Sequence, residues 1–154
     1  MVRSFLTRAG LGLLSLAALS CASIQLSDEE QAEWGRAMDT PLTFIVSREQ
    51  SLETWDRAQE FIGRYSSTKL RSTTDSLLVS YDSPTYQNVP PAESGSAIHY
   101  GYSISRSRDP EGVRIGVQCI STSKLGEKSA DQNAHIAAYY IRTGTLGCNR
   151  CIVR

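Results

Sequence analysis

Hydrophobic and polar residues recur along the chain with two different periods, which predict helices separated by strands. Apolar residues have helical spacing in residues 28–38, in the segment from Ser47 to Tyr65, and in residues 130–143. Each segment begins at a serine that is followed three places later by Glu or Gln, the signature of a capping box. These caps are Ser27, Ser47 and Ser129. The pattern therefore predicts three helices.

The first predicted helix has Trp34 as its main anchor and ends before Pro41, because the residue before a proline avoids the helical conformation.

The second predicted helix has an apolar stripe that is expected to face the core. The residues predicted to be buried by the second helix are Leu52, Trp55, Ala58, Phe61, Ile62 and Tyr65.

Strands are predicted in four segments that are rich in β-forming residues: residues 42–46, 76–81, 98–106 and 113–121. In the last three, side chains alternate between apolar and small or polar, as expected of a sheet that is covered on one side. Asp109-Pro110-Glu111-Gly112 is a turn signal that joins the last two strands as a hairpin. The residues predicted to face inward are Leu77, Val79, Tyr81, Ile98, Tyr100, Tyr102, Ile104, Val113, Ile115, Val117 and Cys119.

The order helix, strand, helix, three strands, helix predicts an α+β fold. We expect a two-layer sandwich, with a mainly antiparallel sheet of about four strands and helices on one face. Residues 82–96, with three prolines, are predicted to form a long loop. In element order, the chain is similar to the helix-grip or TBP-like modules of several lipoproteins, such as the BamC component of the outer-membrane assembly machinery.

The first twenty residues have the three parts of an export signal. Residues 1–8 carry two arginines and no acid, and residues 9–19 are an apolar segment too short to span a membrane. Ala18-Leu19-Ser20-Cys21 resembles the lipobox of bacterial lipoproteins. The resemblance implies diacylglycerol transfer to the Cys21 thiol, cleavage before Cys21, and acylation of its new amino group, with palmitate among the acyl chains. A conventional signal peptide is the alternative, because Ala18-Leu19-Ser20 also fits its small-x-small rule.

This interpretation divides the chain into a signal peptide (1–20), a lipid tether with the N-terminal helix (21–40) and an α+β domain (41–154). In Gram-negative lipoproteins an Asp after the lipidated cysteine typically signals inner-membrane retention. Ala22 therefore resembles the outer-membrane pattern. The expected location is the cell envelope, lipid-anchored, at the outer membrane facing the periplasm.

Charge excludes two classes of partner. The chain has 16 basic and 16 acidic residues, and two of the basic residues, Arg3 and Arg8, precede Cys21. From Cys21 onward, 14 basic residues therefore face 16 acidic ones, a net charge of −2. A nucleic-acid binder or a polybasic membrane-surface binder needs a basic face, so we expect no nucleic-acid partner. The expected partners are the membrane, through the lipid anchor, and another envelope protein.

Cysteine chemistry is limited by spacing. Cys148 and Cys151 form a C-x-x-C, and a structural disulfide between them is the first expectation in an oxidising compartment, with Cys119 as an alternative partner for either. A thioredoxin-like role needs a helix after the motif, and too few residues follow. A zinc site from these three cysteines and His135 matches no standard ligand spacing. We therefore expect no metal and no cofactor.

Motifs of hydrolases and phosphate-binding enzymes are missing from the sequence. It has no Gly-x-Ser-x-Gly elbow, no P-loop and no Gly-x-Gly-x-x-Gly, so a non-enzymatic protein is expected.

The sheet face opposite the core is more informative about function than the cysteines or the catalytic motifs. Its side chains are short and mostly polar, so that a partner backbone can approach it closely. Leu78, Ser80, Ser105 and Ile120 are also expected there. A solvated face with no partner is the alternative. The residues proposed as a binding face are His99, Gly101, Ser103, Arg114, Gly116 and Gln118.

The leading hypothesis is therefore a protein-interaction or assembly module. A lipid- or glycan-binding module, with its ligand between sheet and helices, is the first alternative. A thiol-redox accessory protein is the second.

Overall fold

The computed structural model describes residues 26–66, 68–80 and 98–153. Its helices and strands confirm the α+β class, with one strand more than the four expected. In chain order they are α1 (Asp28–Met38), β1 (Thr43–Val46), α2 (Ser51–Tyr65), β2 (Ser72–Thr73), β3 (Leu77–Val79), β4 (Tyr100–Asp109), β5 (Gly112–Ser121) and α3 (Glu127–Thr143).

The sheet is antiparallel throughout, in the order β1-β5-β4-β3-β2. Its centre is the predicted hairpin of β4 and β5, whose ten residue pairs run from Tyr100 opposite Ser121 to Asp109 opposite Gly112. Gly112 is required at the turn: a Cβ there would lie 2.2 Å from the carbonyl oxygen of Val46. The additional strand, β2, is only two residues long and pairs with β3 at the far edge.

The core lies between the sheet and the three helices, and aromatic rings fill its middle. Phe61 of α2 is the hub: its ring centroid lies 5.3 Å from that of Tyr102 on β4 and 5.7 Å from that of Tyr140 on α3. Tyr65 contacts both Phe61 and Tyr140 at 5.5 Å. Such tilted and edge-on pairs are the favourable arrangements of aromatic rings. The predicted inward positions of the hairpin are correct at Tyr102, Ile104, Ile115 and Val117.

The prediction for β3 is wrong by one residue. Leu77 and Val79 were expected inside, but Leu78 is fully buried and Leu77 is 37% exposed. The reason is register: Leu78 pairs with Ile104, whose side chain enters the core, and a one-residue shift moves every side chain to the other face. Ser80 is buried for the same reason, and Tyr81 lies outside the described residues.

The starts of the later helices also differ from the prediction. Ser47 accepts a hydrogen bond from the N–H of Gln50, as a cap does, but residues 48–50 form a turn and α2 begins at Ser51. Leu52 consequently lies in the first helical turn and is 66% exposed, so its predicted burial is wrong. The last helix begins at Glu127, three residues before the expected start, and Ser129 lies inside it rather than capping it.

The start of α1 agrees fully with its capping box. The Ser27 side chain accepts from the N–H of Glu30, and the Glu30 carboxylate accepts from the N–H of Ser27. The helix packs against α3, where the hydroxyl of Tyr139 donates to the carboxylate of Glu33 over 2.5 Å. The expected loop at residues 82–96 lies outside the described residues.

The segment after α3, residues 145–153, folds back over α3 rather than along the sheet. Its anchor is Asn133 of α3, whose side chain is fully buried. The amide group of Asn133 donates to the carbonyl oxygen of Val153 at 2.8 Å, and its oxygen accepts from the N–H of Val153 at 3.0 Å. Ile152 beside it belongs to the core, and Arg150 pairs with Glu30 of α1. The segment therefore contacts both α3 and α1.

Replacing Asn133 by Ala should lower the free energy of unfolding by about 2 kcal/mol, because it removes two hydrogen bonds to the backbone of Val153 and leaves a cavity where a fully buried side chain was. Urea unfolding followed by circular dichroism measures the loss. Gln132→Ala, at the half-buried neighbouring position, is the control and should change stability by less than about 0.5 kcal/mol. An equal effect of the two substitutions would contradict the role of Asn133.

Candidate functional site

The side of the sheet away from the helices, called the outer face below, carries the candidate site. The structure brings five of the six proposed residues onto it, and His99 lies directly before β4 at its end. The members are Thr43 and Ile45 of β1, Leu77 and Val79 of β3, Gly101, Ser103, Ser105 and Ser107 of β4, and Arg114, Gly116, Gln118 and Ile120 of β5.

The middle of the outer face is flat because small residues lie side by side across the strands. One row runs Thr43, Gly116, Ser105 and Leu77, in register from β1 to β3. The hydroxyl of Ser105 lies 2.8 Å from the place where a Cβ of Gly116 would be, so it fills the space that this glycine leaves. A partner backbone can approach closely only where such side chains are short.

The six proposed residues differ in accessibility. Arg114 and Gln118 are exposed, while His99, Ser103 and Gly116 are half-buried. Gly101 is buried. The accessible part of the face is therefore its middle and the half next to the Asp109–Gly112 turn. Two apolar side chains lie on the outer strands there, Ile45 at 39% and Leu77 at 37% exposure.

The one cation proposed for the site is already paired. Arg114 contacts the carboxylate of Asp109 at 2.5 Å on the outer face. The backbone N–H of Glu111, and then Arg114, hold the pKa of Asp109 below its usual range. Among the described members of the outer face, no other side chain is a Lys, Arg, Asp or Glu, so shape and hydrogen bonding dominate what these residues can recognise.

The sequence pattern missed five members of the outer face: Thr43, Ile45, Leu77, Val79 and Ser107. It placed Leu78 and Ser80 there instead, and the structure buries both. Ser80 is tied into the core by hydrogen bonds: its hydroxyl accepts from the N–H of Tyr102 and contacts the hydroxyl of Thr68, both at 2.9 Å. Because Leu77, Leu78 and Val79 are all apolar, alternation along β3 does not show which of them faces the core. Only the pairing of β3 with β4 decides this.

The cysteines follow the first of the predicted pairings. Cys148 and Cys151 form a disulfide across a short 3-10 turn, and Cys148 is buried while Cys151 is half-buried. Cys119 is a free thiol on the core side of β5. Burial raises the pKa of the Cys119 thiol to about 12. A neutral, half-buried thiol is a poor nucleophile, so the structure gives Cys119 a packing role.

His135, considered above as a zinc ligand, is engaged elsewhere. Its Nδ1 lies 2.8 Å from the carbonyl oxygen of Thr40, which ties the end of α1 to α3. In residues 26–66, 68–80 and 98–153, no group of three or more His, Cys, Asp or Glu side chains is placed to hold a metal ion. Cys21 lies outside these ranges.

Comparison with known proteins does not assign a family. No family model, no curated protein and no solved structure matches the chain. Among the described helices, none combines the length and the apolar character needed to cross a membrane.

The Cys119 thiol should react slowly in the folded protein. In a Cys21→Ser chain at pH 8, we expect a disulfide-exchange reagent to label it about 1000-fold more slowly than after unfolding, since the raised pKa leaves little thiolate. After unfolding without reductant, one thiol per chain should react. Three reactive thiols would contradict the Cys148–Cys151 disulfide.

The same shift makes stability fall at alkaline pH. The unfolded thiol ionises near its ordinary pKa of 9.0, while the folded thiol keeps its proton until about pH 12. Below pH 9 the thiol is protonated in both states and costs the folded chain no stability. As pH rises from 9 towards 12, the free energy of unfolding falls, because only the unfolded chain can ionise this thiol easily. Cys119→Ala should remove this part of the alkaline loss in urea unfolding measured at several pH values.

Proposed function

We propose that the protein is a lipid-anchored envelope lipoprotein that acts as a non-enzymatic interaction or assembly module. It is exported, cut before Cys21, acylated on that cysteine and held at the periplasmic side of the outer membrane. Its α+β domain then contacts another envelope protein through the outer face of the sheet.

The anchor is supported by the order of residues 1–21: a basic start, an apolar segment, and a lipobox-like tetrapeptide ending in Cys21. Acyl chains contribute about 0.8 kcal/mol per buried CH₂, and two chains are enough for stable anchoring. Only five residues separate Cys21 from Ser27, the cap of α1. A tether of this length keeps the domain near the membrane surface.

The interaction role is supported by one observation above all: the central outer face, with Ser105, Gly116 and Thr43 side by side, is flat and small. Neighbouring exposed Ile45 and Leu77 add apolar area at its sides. Protein partners favour surfaces that combine close backbone approach with apolar contacts. Solvated sheet faces usually carry longer charged side chains, and the arginine present here is paired with Asp109.

A lipid- or glycan-binding role would need space between sheet and helices. The rings of Phe61, Tyr65, Tyr102 and Tyr140 occupy the centre of that region in mutual contact, and the groove between β5 and α3 lies at its edge, which is why we prefer the interaction role. A thiol-redox role is weaker still, because the buried Cys148 gives its disulfide little access to a partner thiol.

The anchor predicts that Cys21→Ser moves the protein from the membrane fraction to the soluble fraction after export. Mass spectrometry of the N-terminus of the unchanged protein should find Cys21 as the first residue, carrying acyl chains. Cys119→Ser is the matched control and should stay with the membranes. An unmodified Cys21, or cleavage at another residue, would refute the anchor.

The outer face predicts a position-dependent cross-link in living cells. A photo-reactive amino acid at Ser105, in the middle of the face, should give a discrete cross-linked species. The same residue at Asp56, exposed on α2, should not. The Ser105 species should disappear when Gly116→Arg is added, because the long side chain prevents close approach. Equal cross-linking from both positions would contradict the proposed face.

A further inference from the structure

The edge of β5 next to β1 is only partly paired. β1 covers Val113 to Gly116, and the last bond on this edge runs from the N–H of Val117 to the carbonyl oxygen of Leu42 at 2.8 Å. β5 continues four residues further, to Ser121. The chain before Leu42 turns away towards α3, where the carbonyl oxygen of Thr40 meets His135.

The direction of the remaining backbone groups follows from the alternation of an antiparallel ladder. The N–H of Thr122 donates to His99 on the β4 side at 3.0 Å, and the N–H of Val117 donates to the β1 side. Successive residues of a strand point to opposite neighbours. Even-numbered residues of this stretch therefore bond to β4, and the N–H and C=O of Cys119 and the N–H of Ser121 point to the open edge.

A groove of about 430 Å³ lies along this edge, between β5 and the first turns of α3. Its wall on α3 is low because Ala130 and Ala134 are short side chains. Glu127 and Asp131, one helical turn apart, are exposed at its rim. Among the residues that line it there is no cation, and neither carboxylate has an ion-pair partner within the described residues.

We propose that this groove, the edge groove, binds an extended basic peptide segment of a partner protein as an added strand beside Cys119 and Ser121. The three open backbone groups provide the ladder, as in other cases of strand addition. The alanines leave room for side chains of the added strand, and Glu127 and Asp131 select lysine or arginine. This inference names a partner chemistry for the proposed interaction role, on a surface that meets the outer face at Gln118 and Ile120.

The occupant is a segment of another protein rather than residues 81–97 of this chain. That segment contains Asp82 and Glu93 and no Lys, Arg or His, so it does not complement the two carboxylates at the rim. An uncovered strand edge is also a place where chains aggregate unless charge protects it. The acidic rim repels an acidic strand and attracts a basic one.

Amide hydrogen exchange of the complete chain, purified in a mild detergent and followed by NMR, tests the edge itself. We expect the amides of Cys119 and Ser121 to exchange fast and those of Gln118 and Ile120 to exchange slowly. Slow exchange at Cys119 and Ser121 would mean that something already covers the edge, and it would overturn the proposal.

Binding is tested with two synthetic seven-residue peptides that alternate valine and threonine except at positions three and five. One carries lysine at these positions, and the other carries glutamate. The lysine peptide should shift and protect the amides of Cys119 and Ser121, and it should bind at least about fivefold more tightly than the glutamate peptide at low salt. Equal affinities, or no binding at millimolar peptide, would overturn the proposal.

Two variants separate the backbone ladder from the charge. Ser121→Pro removes one open N–H without breaking the β4 ladder and should weaken the lysine peptide about fivefold, whereas Ser121→Ala, which loses only the bonds between the hydroxyl and Ser123, should not. Glu127→Gln with Asp131→Asn should remove the preference for lysine, whereas Glu29→Gln with Asp56→Asn, two exposed acids elsewhere, should leave it. An undiminished lysine preference in the first pair would contradict the role of the rim.

The amide shifts caused by the lysine peptide also distinguish a failure of this inference from a failure of the proposed function. If the lysine peptide shifts Ser105 and Gly116 but not Cys119 and Ser121, the outer face is the binding surface and the edge groove is refuted. Loss of the Cys21 anchor would refute the location of the protein but would leave the exchange and peptide measurements unchanged.

Discussion

The pairing of β4 with β5 determines the two surfaces on which the rest of the molecule depends. Ten consecutive pairs hold the hairpin in one register, with Tyr102 opposite Cys119 and Ile104 opposite Val117. A slip of one residue would put Tyr102 and Ile104 in solvent and Ser103 and Ser105 in the core. The buried rings around Phe61 therefore stabilise this register, and the small outer face is its necessary complement.

The hairpin was predictable because its sequence allows one interpretation. Residues 100–104 and 113–117 alternate clearly, and the Asp109–Gly112 turn fixes their partner. The sequence Leu77-Leu78-Val79 has an apolar residue at every position, so only its pairing with β4 decides which one is buried. The local pattern therefore predicts which side chains face the core where polar and apolar residues alternate. It cannot do so where consecutive residues are all apolar.

Capping signals show a similar limit. Ser27 and Glu30 form the predicted reciprocal bonds, but the equivalent motif at Ser129 lies within α3, because a 3-10 turn capped by Ser123 starts the helical path earlier. The most buried polar residue that no pattern indicated is Asn133. Its partner is the backbone of Val153, twenty residues away, and no local motif encodes such a contact.

The segment after α3 has a consequence for the order in which the protein can mature. The buried side chain of Asn133 acquires its hydrogen-bond partner only when Val153 is in place, and Ile152 joins the core beside it. A ribosome makes these residues after every element that they cover, so a nascent chain lacks its last layer of packing during synthesis. Docking of residues 152 and 153 onto α3 is therefore the step that completes the core.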